Sequence, residues 1–320
     1  MNLSLNTSSQ KQSNETREVK ILILGSGPAG LAAALYAARA ELKPVILTGM
    51  QLGGQAALTA TIENYPGFPE GINGTELGDI FQKHAEKFGA HFEIDVAESV
   101  DLSKRPFVIH AQNADYIADA LIISTGSKLK MLNIPGEATF VGKGVSFCAT
   151  CDGWFFKEKE VAVVGGGDSA IEEAIFLTRF ASRVIVIHRR DTLRAGPILV
   201  KRAMENPKIK FIWDTIVEEI IGDQKVKSIK ILNLRTKASS VFKTDGIFIF
   251  IGNNPNSEIF KGQLALDEKG YIVTDNMMRT SVEGVFAAGE ISDPSFRQVV
   301  TSAGMGAAAA IQATRFLESK

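Results

Sequence analysis

Cysteine is nearly absent: two residues in 320. That excludes a disulfide scaffold and a zinc site built from four cysteines. Histidine is also scarce, limited to His84, His91, His110 and His188. An excess of charge of either sign is missing, with 35 Lys and Arg against 36 Asp and Glu and a formal net charge of −1. No basic surplus marks a nucleic-acid binder, so no nucleic-acid partner is expected. No apolar run reaches the roughly 18 residues that span a bilayer, so no membrane partner is expected. The opening MNLSLNTSSQKQSNETREVK lacks the apolar core of a secretory signal. Residues 1–17 are therefore expected to be a disordered N-terminal extension on a cytoplasmic protein. What remains is an ordinary globular mixture, 45% hydrophobic and 22% charged, of a length that suggests about two domains.

The chain echoes itself over a long range. An apolar run at 21–24 ends at Gly25-Ser26-Gly27-Pro28-Ala29-Gly30, followed by an Ala-rich helical stretch to Ala40 and a second apolar run at 44–47. The run at 161–164 ends at Gly165-Gly166-Gly167-Asp168-Ser169-Ala170, followed by a helical stretch to Ala181 and a run at 184–187. Parallel strands buried on both faces read as continuous apolar runs, so each copy predicts a β–α–β unit. Each unit closes with a later buried strand ending in glycine: 121–124 before Thr125-Gly126, and 247–251 before Gly252. Alternating stretches at 107–110 and 116–117 predict a small antiparallel ribbon, and 226–244 predicts its counterpart. Beyond these lie an expected strand at 270–273, another at 284–287, and a small-residue helix from about Thr301 to Glu318. The fold class expected is α/β, with two Rossmann-like nucleotide-binding domains of the three-layer ββα kind, one inserted in the other. The discontinuous domain takes 18–127 and 257–320, and the inserted one 128–256.

In the G-x-G-x-x-G loop, Gly25 permits the tight turn, Gly27 lets a pyrophosphate approach the backbone, and Gly30 allows close helix–strand packing. The helix N-terminus adds free N–H groups and the positive end of its dipole. The second loop supplies Gly165 and Gly167, with Ala170 in the third place. An acidic residue after the second strand usually holds the adenosine ribose. The second unit instead has His188-Arg189-Arg190-Asp191-Thr192-Leu193-Arg194. Three guanidinium groups match a 2′-phosphate, which assigns NADPH to this site. The first unit has Thr48-Gly49-Met50 at the same offset, then the flexible turn Gly53-Gly54-Gln55.

Both cysteines lie in Cys148-Ala149-Thr150-Cys151-Asp152-Gly153, with no histidine nearby to complete a metal site. A loop this short removes little chain entropy, so a structural cross-link accounts poorly for the pair. A C-x-x-C pair suits thiol–disulfide exchange, and Asp152 beside the second thiol can give or take a proton.

Taken together, GSGPAG at 25–30, TGMQLGGQ at 48–55, ENYPG at 63–67, CATCDG at 148–153, GGGDSAIEEA at 165–174, HRRDTLRA at 188–195, AAGEISD at 287–293 and RQ at 297–298 resemble the low-molecular-weight, bacterial-type thioredoxin reductases. The resemblance covers nearly all of the chain after residue 18. It implies a homodimer that carries electrons from NADPH through FAD and a Cys148–Cys151 disulfide to the disulfide of thioredoxin. Cys151 would lie nearer the flavin, Asp152 would handle the proton, and Cys148 would attack the substrate. FAD would meet Gly25, Ser26, Gly27, Pro28, Ala29, Gly30, Thr48, Gly49, Gly54, Gln55, Asn64, Thr125, Gly126, Gly289, Glu290, Arg297, Gln298 and Val299. NADPH would meet Gly165, Gly167, Asp168, Ser169, His188, Arg189, Arg190, Arg194, Ile251 and Gly252. Glu290 stands where the family usually has Asp. The alternative is a related flavin disulfide reductase serving another thiol protein, in a peroxidase system or through a glutaredoxin-like carrier.

Overall fold

The structure is a computed structural model that describes residues 15–59 and 61–319. It divides into two compact units, one of residues up to 59 with 72–127 and 255 onward, the other of 61–71 with 128–254. The expected layout gave 61–71 to the first unit and set the return crossing two residues later.

The first unit opens with strand β1 (Glu15–Leu24), helix α1 (Pro28–Arg39) and strand β2 (Val45–Leu47). Helix α2 (Gly74–Glu86), strand β3 (His91–Glu93), the strands β4 (Ala97–Asp101) and β5 (Phe107–Ala111), and the long strand β6 (Ala114–Ile123) follow. One sheet runs β3-β2-β1-β6-β5-β4. β6 pairs with β1 along its length, and its first half pairs antiparallel with β5. Pro28 starts α1 where a missing N–H does no harm. The helix then buries a face of alanines against the sheet. The opposite face packs Leu22, Leu24, Leu121 and Ile123 against Phe107, Ile109 and Tyr116.

The expectation of disorder fails at 15–17. Glu15, Thr16 and Arg17 pair with Ala114, Asp115 and Tyr116. The Arg17 guanidinium bonds the Glu93 carboxylate, which also accepts the Tyr116 hydroxyl at 2.7 Å. These residues are polar because the strand has left the core, and a polar strand end looks like a tail. Residues 1–14 of the expected extension lie outside the described residues.

The crossing strand β7 (Ser127–Leu129) leads into the second unit. There follow strand β8 (Val145–Ser146), the one-turn helix α3 (Ala149–Asp152), strand β9 (Glu160–Gly165), helix α4 (Asp168–Leu177) and strand β10 (Arg183–Ile187). Next come helix α5 (Pro197–Glu205), strand β11 (Ile209–Ile212), the strands β12 (Thr215–Gly222), β13 (Val226–Asn233) and β14 (Ser239–Lys243), and strand β15 (Gly246–Phe250). The parallel sheet runs β11-β10-β9-β15-β8. Its helix side packs Val161, Val163, Val184 and Val186 against Ile171, Ala174 and Leu177. Its other side packs Ala162, Ile185 and Ile247 against Val217, Ile220, Ile229 and Ile231 of the separate sheet β12-β13-β14. That sheet has one strand more than the ribbon expected at 226–244. The added strand, β12, has Glu218-Glu219 at its centre and a register shift between Val217 and Glu219, which break its alternation.

The return crossing is strand β16 (Asn253–Pro255). The first unit then regains strand β17 (Val285–Ala287), paired with the second half of β6, and helix α6 (Val299–Glu318). The strand expected at 270–273 is cut down to a single bridge at Ile272, just after a tight turn at 267–270. Asp267 Oδ1 accepts from the backbone N–H of Lys269 and of Tyr271 at 2.8 Å, leaving only an isolated bridge between Leu266 and Ile272. α6 begins two residues earlier than expected, with Gln298 as its extended N-cap.

Candidate active site

In the first unit Gly25 has φ +102°, and a Cβ there would lie 2.4 Å from Ser124 O. A Cβ on Gly30 would lie 1.9 Å from Gly25 O. Both positions need glycine for close backbone approach. Gly27 differs: it is the extended N-cap of α1, and nothing lies within 4 Å of its Cβ position. A pyrophosphate fits that open side, facing the helix's unpaired N–H groups. The following segment folds onto this loop. Ser26 Oγ donates to Thr48 O at 2.8 Å, and Gly53 N donates to Ser26 O at 3.0 Å. Gly49 has φ +69° and open space at its Cβ position, while the Cβ of Gly54 would come 3.1 Å from Gly27 Cα.

Gln55 and Glu290 meet at Ser127. The Ser127 hydroxyl donates to Glu290 Oε2 at 2.7 Å, and Gln55 Nε2 donates to the same oxygen at 3.2 Å. Gly289 (φ +78°) brings this turn against α1, since its Cβ would lie 2.9 Å from Ala29 Cβ and 3.6 Å from Ser302 in the first turn of α6. Thr125 and Gly126 are held by Asn256, which the sequence reading missed. Asn256 Nδ2 donates to Thr125 O at 2.7 Å, and Asn256 N to Gly126 O at 2.9 Å. Buried Asp293, also missed, accepts from the backbone N–H of Ser295, Phe296 and Arg297 and so shapes the entry through Gln298 to Val299. Pro28 and Ala29 form the first turn of α1. Asn64 alone among the expected flavin contacts falls in the stretch grouped with the second unit.

The second unit repeats the cradle. Gly165 has φ +154°, and its Cβ would lie 2.5 Å from Phe250 O; the space beside Gly167, N-cap of α4, is open within 4 Å. This loop too fits a pyrophosphate. The arginine segment folds onto it: Arg194 N donates to Gly166 O at 2.7 Å, and Asp168 Oδ1 accepts from Gly196 N at 2.7 Å. A Cβ on Gly166 would lie 2.3 Å from the ring of His188, which is buried with its Nε2 unpartnered among the described residues. Burial first, then the charge of Arg194, hold its pKa below the usual histidine value. The His188 ring packs directly against the glycine loop at Gly166. Arg189, Arg190 and Arg194 are exposed, and among the described residues none of them forms an ion pair. Ser169 is exposed in the first turn of α4, and Gly252, after Ile251, turns with φ +103°.

Cys148 and Cys151 form a disulfide with Cα atoms 5.3 Å apart. Cys148 is the N-cap of α3, and its Sγ accepts from Cys151 N at 3.2 Å and from the Thr150 hydroxyl at 3.3 Å. Ala149 N donates to Glu173 Oε2 of α4 at 3.1 Å. Asp152 accepts from the Ser146 hydroxyl at 2.6 Å, and burial raises its pKa above the usual carboxylate range despite that bond. Trp154 and Phe155, just past the pair, are 57% and 45% exposed. Nothing in spacing marks them, although three aromatics in a row after C-x-x-C-D-G were a legible signal.

Two dinucleotide cradles and a disulfide with a half-buried acid beside it define an oxidoreductase that moves electrons between a nucleotide and sulfur. The chain belongs to the pyridine nucleotide-disulphide oxidoreductase family, whose pattern matches residues 19–306. Within it, the chain is 51% identical to the thioredoxin reductase of Rickettsia felis over 303 residues, covering 93% of this chain and 98% of that one. It is 45% identical to the thioredoxin reductase of Coxiella burnetii over 315 residues, covering 96% and 98%. The crystal structure of thioredoxin reductase from Streptococcus pyogenes superposes with a TM-score of 0.91 at 43% identity, covering 95% of this chain and 99% of that one.

Proposed function

We propose that the chain is an NADPH-dependent thioredoxin reductase, with FAD in the first unit's cradle and NADPH in the second's. The observation that carries this reading is the Cys148–Cys151 disulfide beside half-buried Asp152, in a chain with two open glycine cradles. When bound, the flavin and the nicotinamide supply two electrons as a hydride equivalent. The chain's residues do the rest. In the first unit Gly27 and Gly54 admit the cofactor to the backbone, and Glu290, held by Ser127 and Gln55, presents a carboxylate beside it. In the second, Arg189, Arg190 and Arg194 clamp the 2′-phosphate that separates NADPH from NADH.

Once the disulfide is opened, two donors at Cys148 Sγ favour its thiolate, the form that attacks. That thiolate breaks the substrate disulfide and forms a mixed one, and Asp152 protonates the departing sulfur. Cys151 then attacks Cys148, re-forms the Cys148–Cys151 bond and frees the second substrate sulfur. Trp154 and Phe155 offer a protein substrate an apolar landing at the dithiol.

The test is turnover of NADPH by the purified yellow protein with thioredoxin, set against a glutaredoxin-like carrier and a peroxidase-system thiol protein. Bleaching by NADPH with transfer only to one of the latter would replace thioredoxin as the substrate. The same reading makes the protein a cytoplasmic homodimer, which sedimentation of the holoenzyme would check.

A further inference from the structure

The hydrogen bonds of the redox turn converge on a residue outside every motif. Ser146 ends β8, two residues before Cys148, and is buried to 4% exposure. Its Oγ lies 2.6 Å from Asp152 Oδ2, 3.1 Å from Cys148 N and 3.2 Å from Cys148 O. A hydroxyl has one hydrogen to give and two lone pairs to offer. The shortest contact takes the hydrogen, so Ser146 donates to the Asp152 carboxylate and accepts from the Cys148 N–H. At 2.6 Å the first has the length of a charge-assisted bond. Asp152 N donates in turn to Cys148 O at 3.1 Å, closing a ring through the serine, the acid and the cysteine backbone.

We propose that Ser146 is a positioning residue for the proton step, holding the Asp152 carboxyl in fixed relation to the backbone of the attacking cysteine. This rests on the thiol–disulfide chemistry proposed above. In that chemistry the Cys148 thiolate forms one S–S bond as the substrate's S–S bond breaks. The leaving sulfur takes its proton from Asp152, which regains one from water. The second substrate sulfur leaves when Cys151 re-forms the Cys148–Cys151 bond, and it is protonated by water. The two electrons are those stored in the dithiol. An acid in this role matters only where the leaving thiolate is basic, because a thiol of low pKa departs unaided. The serine also bears on the titration of the acid, since a donor to a carboxylate favours its charged form. The charged group that meets the turn from the packed helix is Glu173, on Ala149 N; the two sulfurs join it once reduced.

The experiment compares the wild-type holoenzyme with Ser146→Ala, Ser146→Gly and Ser146→Thr. NADPH bleaching of the flavin, a step before the thiols, verifies that each variant is folded and loaded. With thioredoxin, alanine and glycine should lower kcat about tenfold, within the range for general acid catalysis. The alkaline limb of their pH profiles should move up, and threonine should restore both. In single turnover, the NADPH-reduced variants should react with dithiobis(nitrobenzoate) as fast as wild type, because its leaving thiol needs no acid. Ser146→Ala on an Asp152→Asn background should add almost nothing. Equal slowing toward both disulfides, an unmoved alkaline limb, or a full additional loss on the Asp152→Asn background would overturn the proposal. Should wild type fail with thioredoxin yet react with dithiobis(nitrobenzoate), the substrate reading falls, and cystine then serves as the basic-leaving-group disulfide for Ser146.

Discussion

At the scale of single residues, charge left without a partner is the most informative feature. Arg189, Arg190 and Arg194 stand exposed around the second cradle, while nearby Asp191 lies 3.9 Å from Arg235 instead. Replacing Arg189 and Arg190 by alanine should raise the NADPH Michaelis constant by one to two powers of ten. A charge-assisted contact contributes about 1.5–3 kcal/mol. NADH use should stay nearly constant; equal losses for both coenzymes in steady-state kinetics would make the cluster structural. Glu290 is the opposite case, a carboxylate held by two donors, the Ser127 hydroxyl and Gln55 Nε2. Glu290→Gln should keep most of the flavin on desalting and Glu290→Ala should lose it faster. Full retention by the alanine variant would assign the cofactor's hold to other groups. Asp152 adds a pH dependence whose sign follows from burial. Its folded pKa is raised above the unfolded value. The native state therefore binds the proton more tightly, and stability is lost as pH rises from the unfolded value through the folded one. Asp152→Asn removes that loss. Its melting temperature should gain on wild type at pH 8 and not at pH 4, as thermal melts at the two values would show.

At the scale of elements, α6 lies so close to α1 that a Cβ on Gly306 would stand 1.9 Å from Ala29 O. Two residues earlier, the Cβ of exposed Gly304 would meet nothing within 4 Å. Gly304→Ala should therefore gain about 0.5–1 kcal/mol from helix propensity. Gly306→Ala should instead lose about 1–3 kcal/mol by overpacking, and should loosen flavin binding because Ala29 belongs to the cradle. Denaturant melts of the two variants separate a packing role for the small residues from mere helix preference. The same contrast explains what could be read from the chain. Strands such as β9 and β15 are buried on both faces, so Val161, Val163, Ile247 and Ile249 announced themselves. The glycine loops were legible because steric exclusion at Gly25 and Gly30 admits no other residue. Elements held by polar contacts were not legible. Glu15–Arg17 looked like tail, β12 hid behind a pair of glutamates, and a side chain at Asp267 turned an apolar stretch back on itself. Ser146, Asn256 and Asp293 escaped notice because their roles depend on backbone groups that sequence spacing does not display.

At the scale of the whole molecule, each cradle is assembled from one unit's residues. Gly165, Gly167 and the three arginines lie in 128–254, as do Ser146, Cys148, Cys151 and Asp152. Both faces of that sheet are covered from within the same span, by α4 and α5 on one side and by β12, β13 and β14 on the other. Its length lies in the usual domain range of about 100–150 residues. Residues 128–254 produced alone should therefore fold cooperatively and bind 2′,5′-ADP, a ligand that carries the phosphate the arginines would clamp. Calorimetry should give a dissociation constant within about threefold of the full chain's, a difference under about 1 kcal/mol. The isolated unit should bind no FAD, and its disulfide should resist NADPH, since the first unit's cradle is gone. Residues 61–71, which group with this unit, are absent from the fragment. Ile62 is buried there, yet it belongs to neither side of the second unit's core. A fragment that melts cooperatively but does not bind 2′,5′-ADP would mean that the coenzyme cradle is completed from outside the inserted span. Binding restored by adding 61–71 through a short linker would trace the missing part to that segment.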